Sequence, residues 1–252
     1  MPNRLPGKTA IVTGAAGAFG QEMVSLFVSE GAQVVACDLP GTNLGALAER
    51  HGNAVHLVEH NVLVEADWVR VFDGARREFG SADILINNAG VSSTGAPQDP
   101  ERIDLDQWRA VNSVNVEGVV LGCREAIRSM KEGGGVIVNI SSIAALNPSP
   151  KMIAYGASKA AVRHITRTVA AYCTEQGYEI RCNSVHPGWF LTPMVRGSRT
   201  PAELEAQQKL IPMKRFGDVA DVAAVALFLA CDDSRYMTGA KIVVDGGVTV
   251  EP

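Results

Sequence analysis

Short β-branched runs alternate with helically spaced stretches along the whole chain. TAIVTG, QVVACD, AVHLVEH, ADILINNAG, GVIVNIS, EIRCNSV and KIVVDGG read as seven strands, rich in residues that fit a pleated surface. Between them, helices are predicted over FGQEMVSLFVSEG, Leu44–His51, about Glu65–Phe79, about Asp104–Lys131, about Ile153–Glu175 and Val219–Cys231. Residues 193–212 interrupt the alternation. Strand followed by helix calls for parallel pairing, because parallel strands need crossover helices. Near-continuous apolar strands such as VIVNI suit a sheet covered on both faces. The expectation is an α/β fold, one doubly wound domain over residues 1–252 with a seven-stranded parallel sheet flanked by helices.

Composition narrows the class. The chain has 252 residues, 46% hydrophobic and 20% charged, as expected of a globular domain rather than a disordered one. Its formal net charge of -4 gives no electrostatic case for a nucleic-acid partner. The longest apolar run, Val222 to Cys231, is about half of the roughly 20 residues that a membrane helix needs. The opening MPNRLPGK shows no signal-peptide pattern, so a cytoplasmic protein with no membrane partner is expected. Cys37, Cys123, Cys173, Cys182 and Cys231 are odd in number and never spaced as C-x-x-C, and the five histidines lack ligand spacing. Neither a disulfide framework nor a metal site is expected.

TGAAGAFG (Thr13–Gly20) falls where the first strand turns into the first helix. Glycines there let the backbone approach a pyrophosphate, whose charge suits a helix N-terminus. Gly14, Ala16, Gly17, Ala18, Phe19 and Gly20 are the candidate contacts. The second strand ends in Asp38, 18 residues after Gly20. A carboxylate there can accept from both hydroxyls of an adenosine ribose and repel a 2′-phosphate. With Leu39 as its neighbour and no Arg or Lys in the glycine loop, NAD is favoured over NADP.

Tyr155 and Lys159, in YGASK, are four apart on a predicted helix and share one face. A tyrosine with a pKa near 10 needs a nearby cation to act as a base near neutrality. Lys159 can supply part of that, and an oxidised nicotinamide ring can add its own charge. TGAAGAFG, Asp38, NNAG (Asn87–Gly90), NVEG (Asn115–Gly118), NISS (Asn139–Ser142), YGASK and HPGWFLT (His186–Thr192) stand in this order along the chain. In this the chain resembles the short-chain dehydrogenase/reductase family, over essentially its whole length and through to VDGG.

The resemblance implies a Rossmann-type domain and an enzyme acting on CH–OH groups. It makes Tyr155 the general acid/base, Lys159 the residue that lowers its pKa and holds the nicotinamide ribose, and Ser142 the residue that orients the substrate oxygen. Asn115 matches the asparagine that holds a water linking Lys159 to solvent. Asn88, Ala89 and Gly90 would lie near the adenosine ribose; Pro187, Gly188 and Thr192 belong to the segment matched to the nicotinamide carboxamide. The chain departs from the family pattern twice. Ala18 stands where a middle glycine is frequent, and Asn61-Val62 stands where an Asp-Val pair usually meets the adenine.

The insert at about 193–213 is expected to cover the substrate, with Trp189 and Met194 joining Ser142 and Tyr155 in the pocket. Its Met, Leu, Val and Ile side chains suit a hydrophobic cyclic alcohol such as a steroid, terpenoid or alicyclic alcohol. Arg196 and Arg199 are read as solvated. Arg124, Arg128, Arg163 and Arg167, on the two predicted long helices, are read as interface ion pairs or solvated faces. The expected activity is NAD-dependent interconversion of such an alcohol and its ketone. The alternatives are a 3-oxoacyl or 3-hydroxyacyl thioester oxidoreductase and a non-catalytic NAD-binding protein. The resemblance further implies a homotetramer packed through the two long helices and the C-terminal segment.

Overall fold

A computed structural model describes residues 3–92, 97–192, 195 and 200–250. Seven parallel strands form one sheet in the order β3-β2-β1-β4-β5-β6-β7. They are β1 (Thr9–Thr13), β2 (Gln33–Asp38), β3 (Val55–Glu59), β4 (Ile84–Asn87), β5 (Gly135–Ile140), β6 (Ile180–Pro187) and β7 (Lys241–Val244). The helices are α1 (Ala18–Ser29), α2 (Gly45–His51), α3 (Glu65–Phe79), α4 (Leu105–Asn112), α5 (Gly118–Met130), α6 (Ile153–Glu175), α7 (Pro201–Leu210) and α8 (Val219–Ala230).

The period-2 pleat sorts the strand residues onto two cores. Ala10, Val12, Val34, Ala36, Ile84 and Ile86 pack with Phe27 of α1 and Leu227 of α8. Ile11, Val35, Cys37 and Leu85 face the other way, onto Trp68 and Phe72 of α3, Cys123 of α5 and Val162 of α6. All five cysteines are free and buried, and burial pushes the Cys173 thiol up to about 11. They act as small core residues.

Two elements differ from the sequence expectation. The predicted helix over 104–131 is three pieces, because residues Ser113–Glu117 form a π-helical turn between α4 and α5. The supposed interruption contains α7, which starts at a capping box. The Thr200 hydroxyl accepts from the Glu203 N–H, the Glu203 carboxylate accepts from the Thr200 N–H, and Pro201 opens the helix. β1 and β4 are adjacent, and beyond them the chain order runs in opposite directions across the sheet. Such a reversal opens a crevice at the carboxyl ends of the strands.

Candidate active site

A cleft of about 570 Å³ lies there, and it gathers most of the expected residues. At one end is the glycine turn. Gly14 has φ +63°, and a Cβ on it would stand 2.9 Å from the Ala89 Cα. A Cβ on Gly20 would stand 2.2 Å from the Gly14 carbonyl oxygen, so Gly20 supports the turn without lining the cleft. Gly17 caps α1 without a side-chain bond, which leaves the helix N-terminus facing the cleft with donors free for an anion.

Three side chains brace this turn. The Asp38 carboxylate accepts from Ala16 N–H at 2.9 Å and from Leu39 N–H at 2.8 Å. The Asn88 amide donates to the carbonyls of Thr13 (2.9 Å) and Gly14 (3.0 Å). The Thr13 hydroxyl accepts from the N–H groups of Asn88 and Ala89, both at 3.1 Å. Each carboxylate oxygen of Asp38 keeps acceptor capacity for a ribose hydroxyl. Leu39, Asn61, Val62 and Ala89 also line this end.

At the other end stand Ser142, Tyr155 and Lys159. Ser142 follows β5 and accepts from the Ala144 N–H at 3.1 Å. Its hydroxyl also bonds the Tyr155 side chain, which favours the phenolate, but burial outweighs that bond and raises the Tyr155 pKa. Lys159 lies one helical turn on, its Nζ 5.7 Å from the centre of the Tyr155 ring and donating to the Ile140 carbonyl at 3.0 Å. Burial pulls its pKa down to about 8. Burial thus adds to what Lys159 and an oxidised nicotinamide ring must together overcome to lower the Tyr155 pKa. Desolvation dominates both groups in the protein by itself.

Asn115 sits on the π-helical turn, a feature frequent at functional sites. Its side chain does not line the cleft but is fastened to both backbone groups of Val91 at 2.8 Å and to Ser158 Oγ at 3.0 Å. Gly90 makes room for this, since a Cβ there would stand 3.1 Å from Asn115 Oδ1 and 3.2 Å from Lys159 Nζ. Pro187, Gly188 and Thr192 line the cleft as expected.

The substrate pocket is where expectation and structure part. Trp189 is half-buried and does not line the cleft, and its carbonyl accepts from Gly217 N–H at 3.0 Å. Phe190 points inward instead and packs edge-on against Phe19. Met194, Arg196 and Arg199 lie outside the described residues. No described residue of the insert lines the cleft: Ile211 is buried, while Leu210 and Met213 are exposed. Arg124 and Arg128 pair with Glu65 and Glu125 within the chain. Sequence reasoning missed His60, Val91, Val114 and Ile140, which line the cleft beside predicted neighbours. Among the described residues no cluster of three ligating side chains could hold a metal ion.

The glycine-turn cradle, the open helix N-terminus and a hydroxyl–phenol–ammonium group at one cleft define a nicotinamide-dinucleotide oxidoreductase. A family model described as enoyl-(acyl carrier protein) reductase matches residues 14–249. The chain is 36% identical to an NADP-dependent (R)-specific alcohol dehydrogenase of Lentilactobacillus kefiri, covering all of both chains. It is 38% identical to a 3-beta-hydroxysteroid dehydrogenase of Comamonas testosteroni, covering 98% of each. The crystal structure of a short-chain dehydrogenase/reductase from Burkholderia xenovorans superposes with a TM-score of 0.90, at 35% identity over 99% of each chain. The chain belongs to the short-chain dehydrogenase/reductase family and is an oxidoreductase acting on CH–OH groups.

Proposed function

We propose that the protein interconverts a hydrophobic, cyclic secondary alcohol and its ketone with NAD(H). The observation that carries this is the meeting of Ser142, Tyr155 and Lys159 at one end of a cleft whose other end fits a dinucleotide. When bound, the nicotinamide ring supplies the hydride acceptor for the carbinol carbon. Tyr155 takes the hydroxyl proton of the alcohol and returns it in ketone reduction. Ser142 Oγ orients the same oxygen and stabilises the charge that builds there. Lys159, with a pKa of about 8, is largely protonated at neutral pH and presents a cation behind the phenol. Asn115 holds the Val91 backbone beside this group, and its π-helical turn is assigned the water linking Lys159 to solvent.

Asp38 supports NAD over NADP, because a 2′-phosphate would meet its carboxylate and Lys159 is the only Lys or Arg among the described cleft residues. The NADP-dependent relative makes this choice one to measure. The relative named as a 3-beta-hydroxysteroid dehydrogenase supports a bulky apolar substrate. A thioester oxidoreductase is the second reading, favoured by the description of the matching family model. The same proposal includes a homotetramer packed through α5, α6 and the C-terminal segment, where Val120, Tyr172 and Val250 are exposed. No described helix is long and apolar enough to cross a membrane.

The test is dinucleotide reduction at mildly alkaline pH, with NAD and NADP in parallel. Substrates are cyclohexanol, a hydroxysteroid, a bicyclic terpene alcohol and a 3-hydroxyacyl thioester. Turnover of a cyclic alcohol with NAD is expected. Thioester turnover alone, or a preference for NADP, would replace the reading; no turnover of any substrate would favour a dinucleotide-binding protein without catalysis.

A further inference from the structure

His186 lies on β6, just before the Pro187 and Gly188 that line the cleft, and is fully buried. Its Nδ1 is 3.0 Å from the Ser142 carbonyl oxygen and its Nε2 is 2.9 Å from Ser184 Oγ. A carbonyl can only accept, so Nδ1 carries the ring proton and the Ser184 hydroxyl donates to Nε2. The Ser184 hydroxyl also lies 3.3 Å from the Ala240 carbonyl, its longer contact, and that carbonyl already accepts from the Ser184 N–H at 2.9 Å.

The bond stands where the sheet can no longer do its work. β5 and β6 run in register with Ile140 opposite Val185, and the last rung is Ser141 N–H to the Val185 carbonyl at 2.8 Å. The next donor along β6 would be residue 187, which is proline and has no N–H. That donor would have met the Ser141 carbonyl; Ser142 stands one residue beyond the last rung, and its carbonyl receives the His186 imidazole N–H. On its other side the Ser142 hydroxyl bonds Ala144 N–H and the Tyr155 phenol. Ser142 is held from both sides.

We infer that His186 is a positioning residue: through the Ser142 carbonyl it sets where the Ser142 hydroxyl meets Tyr155 and the substrate oxygen. The inference rests on the proposed roles of Ser142 and Tyr155. Burial keeps the ring neutral, with a pKa of about 4, helped by the positive charges of Lys241, Arg163 and Lys159 around it.

The experiment compares His186→Phe, His186→Asn and His186→Gln with Ser142→Ala and Tyr155→Phe in the full-length protein. Asn places its amide nitrogen two bonds from Cβ, as Nδ1 is, and keeps the Ser142 bond. Gln places it three bonds away, as Nε2 is, and keeps contact with Ser184 alone. A displaced hydroxyl costs catalysis heavily, so kcat should fall about 10-fold or more in His186→Phe and His186→Gln and far less in His186→Asn. NADH affinity, read from the fluorescence of bound NADH, should not change. The alkaline rise in kcat for alcohol oxidation should move to higher pH in His186→Phe, because the Ser142 bond that favours the phenolate is weakened. In the Ser142→Ala background, His186→Phe should add little further loss.

Additive losses with Ser142→Ala, a kcat in His186→Phe equal to wild type, or a Gln variant at least as active as the Asn variant would overturn the inference. If His186→Phe does not fold, the Asn and Gln pair decides. Unimpaired turnover in Tyr155→Phe would instead overturn the proposed chemistry, so the two failures are distinguishable.

Discussion

The two ends of the cleft are built from different materials. At the adenosine end the shape is made by backbone and by missing side chains: Gly14 at φ +63°, Gly20 under the Gly14 carbonyl, and a bare N-terminus on α1. At the nicotinamide end it is made by side chains bonded to one another and to distant backbone: Ser142 to Tyr155, His186 to Ser142, Asn115 to Val91. Each end also carries a buried histidine. His186 has partners on both nitrogens, whereas His60 packs edge-on against Trp68 with neither nitrogen hydrogen-bonded among the described residues. Binding a large flat ligand asks for close backbone approach; moving a proton asks for a few atoms held in place.

The largest expected effect acts on both ends alike. Burial lowers the pKa of His60 and of His186 from 6.5 to about 4. The unfolded chain then binds protons that the folded chain refuses, so stability is full above pH 6.5 and is lost as the pH falls toward 4. At about 1.4 kcal/mol per pKa unit, each histidine contributes about 3 kcal/mol to this loss. Urea unfolding between pH 8 and pH 4 should show a steep decline beginning near pH 6.5. A flat profile down to pH 5 would mean that neither ring is as enclosed as the structure has it.

Tyr155→Phe should separate the two ends most sharply. The phenol is the proton carrier, so turnover should fall at least about 10²-fold, the scale of general acid–base catalysis. NADH affinity should stay close to wild type, because the ring remains and the glycine turn is untouched. If affinity falls in step with turnover, the two ends do not work independently.

How far each end could be read from the sequence follows from the same contrast. The glycine turn, Asp38 and the four-residue step from Tyr155 to Lys159 are local patterns, and the structure puts all of them on the cleft. The strand–helix alternation is local too, and each predicted strand is present in the sheet. The bond from His186 to Ser142 spans 44 residues, and nothing near His186 announces it. The π-helical turn at Ser113–Glu117 was hidden in a run with ordinary helical spacing. In α7 the signal was present, as Thr200, Pro201 and Glu203, but only Gln207 of that helix is buried, so no apolar stripe marked it. Around Tyr155 the sequence shows the neighbouring charge of Lys159 and does not show the desolvation that opposes it.

Asp38→Ala should affect only the adenosine end. It removes the group proposed to accept from the ribose and the acceptor that braces Ala16 N–H. NAD affinity should fall about 10-fold, the equivalent of about 1.4 kcal/mol for lost charged hydrogen bonds. NADP affinity should fall less or rise, since the repulsion of the 2′-phosphate goes too. Parallel titrations with NADH and NADPH read both numbers, and equal losses for the two would remove Asp38 as the discriminating residue.

The smallest effect tests what distinguishes the two histidines. Phenylalanine at 60 keeps an aromatic ring against Trp68 and discards two buried nitrogens that lack partners. Removing an unpaired polar group gives back part of its desolvation cost, so His60→Phe at pH 8 should be between neutral and about 1 kcal/mol more stable. The same change at 186 strands the Ser142 carbonyl, at about 1–3 kcal/mol for a buried group left unsatisfied, and leaves the Ser184 hydroxyl only its 3.3 Å contact with the Ala240 carbonyl. His60→Phe should also remove about half of the acid-induced loss, because one of the two rings can no longer take up a proton. A His60→Phe protein that is clearly less stable at pH 8 would show that His60 has a partner outside the described residues. Its kinship with His186 would then be closer than the two ends of the cleft suggest.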